Sequence, residues 1–370
     1  MKDLSNLKVA IVHDWLVGGG AERVVYELHQ MFPDAPIYTS YCTPEWRERL
    51  DNKVVTGFLQ NWPFSLLRKY VGILRIWWFT HLDFSQYDLV ISSSGNGEAK
   101  GIKVPDNVVH ICYCHSPTHY YWRHYDQYMK RPGFGIFDPL ARLGLKLLVG
   151  PLRRWDLRAS RRPDYFIANS SHIQADIKRY YNRDAVVIHP PIDIERFNKL
   201  SPSKRHGFIT VGRQTSYKRT DVIVDACTTL GLPLKVIGNG PEHYDLVRRA
   251  GPTVEFLTNV TDEEMPKHMA EAQAFLFAAF EDFGVTPVEA LAAGTPVIAY
   301  KAGGALDYVI PNVTGSFYTK QDSETLSKEL IKFKPSHYSH IEIMNDALEF
   351  SSHEFRHHMQ GYIEHALQNR

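Results

Sequence analysis

A chain of 370 residues is longer than one hydrophobic core ordinarily organises, so two domains are expected. Its 44% hydrophobic and 22% charged content is that of an ordinary globular protein and excludes a disordered or fibrous one. Lysine and arginine number 42 against 41 acidic residues, a balance that argues against a general nucleic-acid binder.

In chain order, the first apolar run covers residues 7–12 and turns polar again at His13. It is too short for a secretory core, and no run reaches the roughly 18 apolar residues of a membrane span, so a cytoplasmic protein is expected. The same run reads as a first strand, followed by the turn Gly18-Gly19-Gly20 and a helix with Ala21, Val24, Val25 and Leu28 on one face. Further strands are predicted at 88–91, 108–113, 165–168 and 186–188. Several end in polar or glycine-rich segments, where open α/β sheets place ligands. After a break at 200–204, the theme restarts with a strand at 208–211, a turn at Gly212 and a helix at 221–229. Strands at 234–237, 254–257, 274–277 and 296–300 continue it. This alternation predicts an α/β fold of two doubly wound domains, 1–190 and 191–353, linked near His189-Pro190-Pro191. The helical stretch at about 354–370 can pack back on the first domain. A cleft between two such domains is the expected ligand site. Cys42, Cys112, Cys114 and Cys227 give neither a disulfide framework nor a metal-site spacing.

The segment from Phe280 to Ala290 follows an apolar strand and opens a helix. Two readings of it stand side by side. With Thr286 as N-cap and Pro287 in the first turn, Glu289 completes a capping box. Alternatively, the helix N-terminus offers its amides to a diphosphate while Glu281 and Glu289 accept hydrogen bonds from sugar hydroxyls.

The seven-residue spacing from Glu281 to Glu289 has a wider context, Leu291-Ala292-Ala293-Gly294-Thr295-Pro296-Val297-Ile298-Ala299 and Gly303-Gly304. The whole resembles the donor-site signature of the retaining glycosyltransferases of family 4. That resemblance implies the GT-B fold, two Rossmann-like domains facing across a cleft, and a nucleotide-sugar substrate. Arg213 and Lys218, in Gly212-Arg213-Gln214-Thr215-Ser216-Tyr217-Lys218-Arg219, match the family's basic loop and would hold the donor diphosphate. Fixed cations there stabilise charge as it develops on phosphate oxygens. Gly19 and Gly20 match the glycine loop of the first domain, and His115 matches the histidine that contacts the transferring sugar. Gly238, Asn239 and Gly240 match the loop near the nucleotide, and Phe283, Gly284 and Val285 lie between the two glutamates. Asp307 stands where the family often carries glutamate, which shortens its reach.

The resemblance implies a same-face substitution without a covalent nucleophile: Glu281 orients the sugar, Glu289 the ribose, and Arg213 with Lys218 the diphosphate. A two-carboxylate hydrolase is the rival chemistry, but it has no use for a diphosphate clamp. Asp193-Ile194-Glu195 could be taken for a metal-binding acidic triplet; beside two prolines it reads instead as a turn and helix start. No metal and no cofactor are expected.

The looser first half selects the acceptor. Residues 64–79 carry Ser65, Arg68, Lys69, Gly72 and Arg75 at helical spacing amid leucines and tryptophans, the pattern of a helix lying on anionic lipid. Residues 142–162 are also basic, with Asp156 their one acid. A lipid-linked acceptor such as a polyprenyl-diphosphate glycan, and peripheral docking on the inner face of the plasma membrane, follow as expectations. Asn96, Tyr120 and Trp122 are candidate acceptor contacts. A similarity to bacterial mannosyltransferases of surface-polysaccharide pathways favours GDP-mannose as donor. A UDP-sugar transferase (glucose or N-acetylglucosamine) and an inactive nucleotide-sugar-binding protein are the alternatives.

Overall fold

The computed structural model describes residues 7–68, 72–118, 121–123, 125–130, 135, 138–200, 202 and 204–369. Its contacts divide the chain into one unit of Met1–Pro190 with Arg356–Arg370 and a second of Pro191–Phe355. The helix Ser352–Gln368 thus runs out of the second unit and lies, for most of its length, in the first.

The first unit is a seven-stranded sheet built from β1 (Val9–His13), β2 (Ile37–Thr39), β3 (Val54–Val55), β4 (Leu89–Ser94), β5 (Val109–Cys114), β6 (Tyr165–Ala168) and β7 (Val186–Val187). The strands pair in parallel in the order β3-β2-β1-β4-β5-β6-β7. Every residue of β1, β4 and β5 is buried, so these strands carry apolar runs rather than alternation, as parallel strands covered on both faces do. Their C-terminal ends turn polar, with Ser92, Ser93 and Ser94 on β4 and His13 on β1.

The second unit contains β8 (Phe208–Val211), β9 (Leu234–Ile237), β10 (Val254–Leu257), β11 (Ala274–Phe277), β12 (Val297–Tyr300) and β13 (Gly315–Tyr318). These pair in parallel as β10-β9-β8-β11-β12-β13. Apolar residues of the strands and covering helices, among them Phe275, Val288, Leu291 and Val297, are fully buried in its core. Each sheet reverses its winding at its own first strand. The switch points between β1 and β4 and between β8 and β11 are therefore where ligands are expected, at the C-terminal ends.

Three strands, β2, β3 and β13, escape a reading of the sequence. With three and two residues, β2 and β3 are too short to show a period. The single helix expected over 64–79 is also corrected. Turns, and no helix, occupy residues 64–68, a helix spans Gly72–Thr80, and residues 69–71, Lys69 among them, lie outside the described residues.

Candidate functional site

In the second unit, the chain leaves β8 through Gly212, whose amide bonds the carbonyl of Ile237 on β9 at 3.0 Å. The next side chain but one, Gln214, is buried and ties the neighbouring loop down. It donates to Gly238 O at 2.7 Å and faces His243 Nδ1 at 2.8 Å, while its amide bonds Asn239 O at 3.0 Å. The two loops approach so closely that a Cβ on Gly238, where φ is +119°, would lie 2.3 Å from Gly212 O. Gly240 would likewise meet Gln214 O at 2.3 Å. The fit requires glycine at both positions.

Lys218, in a 3-10 turn of the same loop, pairs with Glu281 beyond the end of β11. This ion pair joins the two loops of the switch point. A cleft opens beside it, lined by Thr210, Gly212, Arg213, Lys218 and Ala279 among others. Arg213 is exposed and Lys218 partly so, which leaves two cations at the strand ends.

Past Glu281, the helix Val285–Ala292 starts at Gly284, which has φ +95° and caps with no side-chain bond. Thr286 is therefore inside the helix and not its N-cap, and the capping-box reading of Glu289 is corrected. Glycine can take the left-handed conformation that places the cap two residues earlier. Glu289 is buried on this helix at 7% exposure, while Phe283 is buried in the core beneath. The loop between β12 and the helix Ala305–Tyr308 supports Glu281 from behind: Gly304 N donates to Glu281 O at 2.9 Å. A Cβ on Gly303 would come within 2.3 Å of that same oxygen. Asp193 caps the helix Ile194–Phe197, the helix start expected of that acidic triplet.

In the first unit, His115 leaves β5 with its Nε2 2.8 Å from Ser93 Oγ of β4. Burial, and then the neighbouring His13, pull its pKa down to about 3. Asp14, after β1, accepts from the amides of Gly95, Asn96 and Ala99, each at 2.8 Å, and so shapes the loop holding Asn96. Gly19 caps the helix Gly20–Met31, and Glu22 closes the turn by accepting from Gly18 N at 3.0 Å. Trp122 has a supporting role instead of an open aromatic face. Its Nε1 donates to Asp156 at 2.7 Å, and its ring stacks on Tyr180 with centroids 5.2 Å apart. Asp156 also binds Lys100 at 2.5 Å, Tyr181 OH at 2.8 Å and Thr118 Oγ1 at 2.8 Å, all buried. Tyr120 lies outside the described residues.

Sequence reasoning therefore found the residues at the strand ends and missed those that hold them. Asp14, Ser93 and Asp156 are isolated polar residues without a motif, and Gln214 sits uncharged inside the basic loop, so only their burial reveals them. Arg75, expected on a lipid-facing surface, is instead buried and paired with Glu98 at 2.6 Å beneath Trp15.

Two Rossmann-like parallel sheets, each with a switch point at its own first strand, are the architecture of the GT-B fold. The family model "Glycosyltransferase Family 4" matches residues 18–196, and "Glycosyl transferases group 1" matches residues 191–339. Both are models of glycosyltransferase domains, and together they match the chain from residue 18 to residue 339. It is 23% identical to an alpha-1,3/1,6-mannosyltransferase of Schizosaccharomyces pombe, over 84% of this chain and 70% of that one. It is 30% identical to a GDP-Man:Man(3)GlcNAc(2)-PP-Dol alpha-1,2-mannosyltransferase of Xenopus laevis, but over only 40% of this chain and 36% of the relative. The chain thus spans about a third of that relative's length. Among solved structures, Anabaena HepE in complex with UDP superposes with a TM-score of 0.70 at 18% identity, covering 97% of this chain and 100% of that one. Sucrose-phosphate synthase from Thermosynechococcus elongatus gives 0.69 at 16% identity, covering 99% and 100%. These likenesses are to the fold.

Proposed function

We propose that the protein is a retaining, metal-independent hexosyltransferase that moves mannose from GDP-mannose to a hydroxyl of a glycan or lipid-linked glycan. The observation that carries this reading is the Lys218–Glu281 pair at the β8/β11 switch point. It sets a cation for phosphate beside a carboxylate for sugar hydroxyls, at the mouth of a cleft. In the reaction, the bond from the anomeric carbon to phosphate oxygen breaks and that to the acceptor oxygen forms on the same face. The acceptor proton passes to a donor phosphate oxygen. Arg213 and Lys218 stabilise the charge left on the diphosphate, so neither a metal nor a cofactor is invoked. Glu281 orients the sugar, Glu289 the ribose, and the backbone of Gly212, Gly238, Asn239 and Gly240 borders the nucleotide. Phe283, Gly284 and Val285 present the helix start to the donor. Gly19, Gly20 and His115 serve from the first unit, where Asn96 borders the acceptor.

Mannose is favoured because relatives named as mannosyltransferases match both along the chain and in part. The alternative is a UDP-sugar, since solved HepE complexes carry UDP and UDP-glucose. Incubating the protein with GDP-mannose, UDP-glucose and UDP-N-acetylglucosamine and measuring released nucleotide separates them. Release of UDP alone would end the mannose assignment.

No helix among the described residues is long and apolar enough to cross a membrane. Peripheral docking has a surface to act through on the helix Asp138–Ala159, where Leu140, Leu143 and Leu147 are 67%, 54% and 66% exposed along one face. Arg154 and Arg158 extend that face as exposed cations. Apolar and basic residues on one helix suit anionic lipid. Co-sedimentation with phosphatidylglycerol vesicles at low salt tests it: Leu143→Asp with Leu147→Asp should abolish binding, and wild-type protein that stays in solution would remove docking.

A further inference from the structure

Two imidazoles and a hydroxyl stand in line at the C-terminal ends of β1, β4 and β5, and their protons can be placed one after another. His13 Nδ1 lies 2.9 Å from the Ser93 carbonyl oxygen. A carbonyl only accepts, so Nδ1 carries a proton and donates. The same nitrogen is 3.1 Å from Ser93 Oγ, which therefore accepts from it and directs its own proton elsewhere. Ser93 is completely buried, and among the described residues its Oγ meets one further group able to accept, His115 Nε2 at 2.8 Å. A buried hydroxyl keeps a hydrogen-bond partner. It donates to Nε2, so the proton of the neutral His115 ring sits on Nδ1.

We propose that His13 and Ser93 are positioning residues that lock His115 as its Nδ1–H tautomer, making it a neutral hydrogen-bond donor to a substrate hydroxyl or phosphate oxygen. His115 then acts as a donor and not as a base, because the one lone pair it could use is occupied by Ser93. Its depressed pKa keeps the ring uncharged near neutral pH, with burial the larger cause and His13 the smaller. The surroundings hold the arrangement still. Asn169 Nδ2 binds the His115 carbonyl at 3.0 Å, and both Asp14 carboxylate oxygens are taken by the amides of Gly95, Asn96 and Ala99. The proposal rests on the reading of His115 as an active-site group.

Long-range ¹H–¹⁵N correlation on full-length, histidine-labelled protein distinguishes the two tautomers, with His115→Gln assigning the signal. The wild type should show Nδ1–H. Ser93→Ala should lose that preference and lower kcat about tenfold, the rate equivalent of one neutral hydrogen bond, with donor KM little changed. Ser93→Thr, which keeps the hydroxyl, should restore both. If Ser93→Ala does not fold, Ser93→Cys, similar in size but a weak donor, should give a tautomer mixture. Nε2–H in the wild type, or an unmoved tautomer in Ser93→Ala and Ser93→Cys, overturns the relay. Wild-type turnover by His115→Gln overturns the active-site reading instead, whatever the tautomer.

Discussion

Replacing Lys218 with alanine separates a catalytic cation from a structural one, because the two roles predict effects of very different size. The side chains of Lys218 and Glu281 are 22% and 19% exposed. An ion pair four-fifths covered but still reached by water at the edge of a cleft contributes about 1 kcal/mol to folding, the upper end for such pairs. In a domain of this size that moves the melting temperature by about 2–4 °C. The same cation facing a phosphate oxygen that gains charge as the glycosyl bond breaks acts like one fixed oxyanion donor. Such a donor is worth about 2.7–4 kcal/mol, or roughly 10²–10³-fold in kcat. Lys218→Ala also leaves the Glu281 carboxylate uncompensated beside the diphosphate, which adds to the loss. Released GDP measured by chromatography gives the rate, and a thermal melt gives the stability. Lys218→Arg should recover part of the rate, since it keeps the charge but not the point geometry. The reasoning fails if Lys218→Ala turns over within about threefold of wild type, or if it melts more than about 10 °C lower. In the second case the pair would be a clamp between loops.

Three other outcomes are expected. Saturating the donor site with GDP at a hundred times its Kd should stabilise the second unit by about 2.7 kcal/mol, and a melting shift with UDP but not GDP would contradict the mannose assignment. Asp156→Ala removes the acceptor shared by Lys100, Thr118, Trp122 and Tyr181 and leaves a buried lysine unpaired. It should cost about 3–5 kcal/mol, and a denaturation midpoint close to wild type would show the network to be dispensable. His110 and His115 both have pKa values pulled down to about 3, in each case first by burial. Unfolded histidine titrates near 6.5, so below that pH the unfolded chain binds more protons and stability falls as pH drops toward 3. The pair should cost about 3 kcal/mol between pH 6.5 and 5, and a melting temperature flat over that window would refute it; His110→Gln should roughly halve the slope.

The fold was readable wherever a strand is long and central. β8, β9 and β11, inside the second sheet, lie where the apolar runs predict them, whereas β2 and β3 at the far edge of the first sheet are held by pairing that no local period encodes. The strand-end residues were readable for a related reason. Arg213, Lys218, Glu281 and His115 follow apolar runs directly, so chain position alone puts them on the ligand edge. Their supports were not readable, because the contacts are distant in sequence: His13 and Ser93 are 80 residues apart, and Lys100 and Asp156 are 56. Arg75 illustrates the opposite error, since a cation at helical spacing looks solvent-facing until a buried glutamate from a later loop is seen to meet it.

The helix that ends the chain has a consequence for how the molecule is made. Its first unit is begun at the amino end yet contains Arg356–Arg370, with Arg356 paired to Glu27 and Tyr362 packed against Tyr165. On the ribosome, the Pro191–Phe355 unit has all its residues before the first unit does. The domain synthesised first is thus completed last, and until the final helix emerges it waits with the surface around Glu27 and Tyr165 uncovered. Released chains truncated before residue 356 should therefore hold a finished second sheet and an unfinished first one, the reverse of the usual order of vectorial folding.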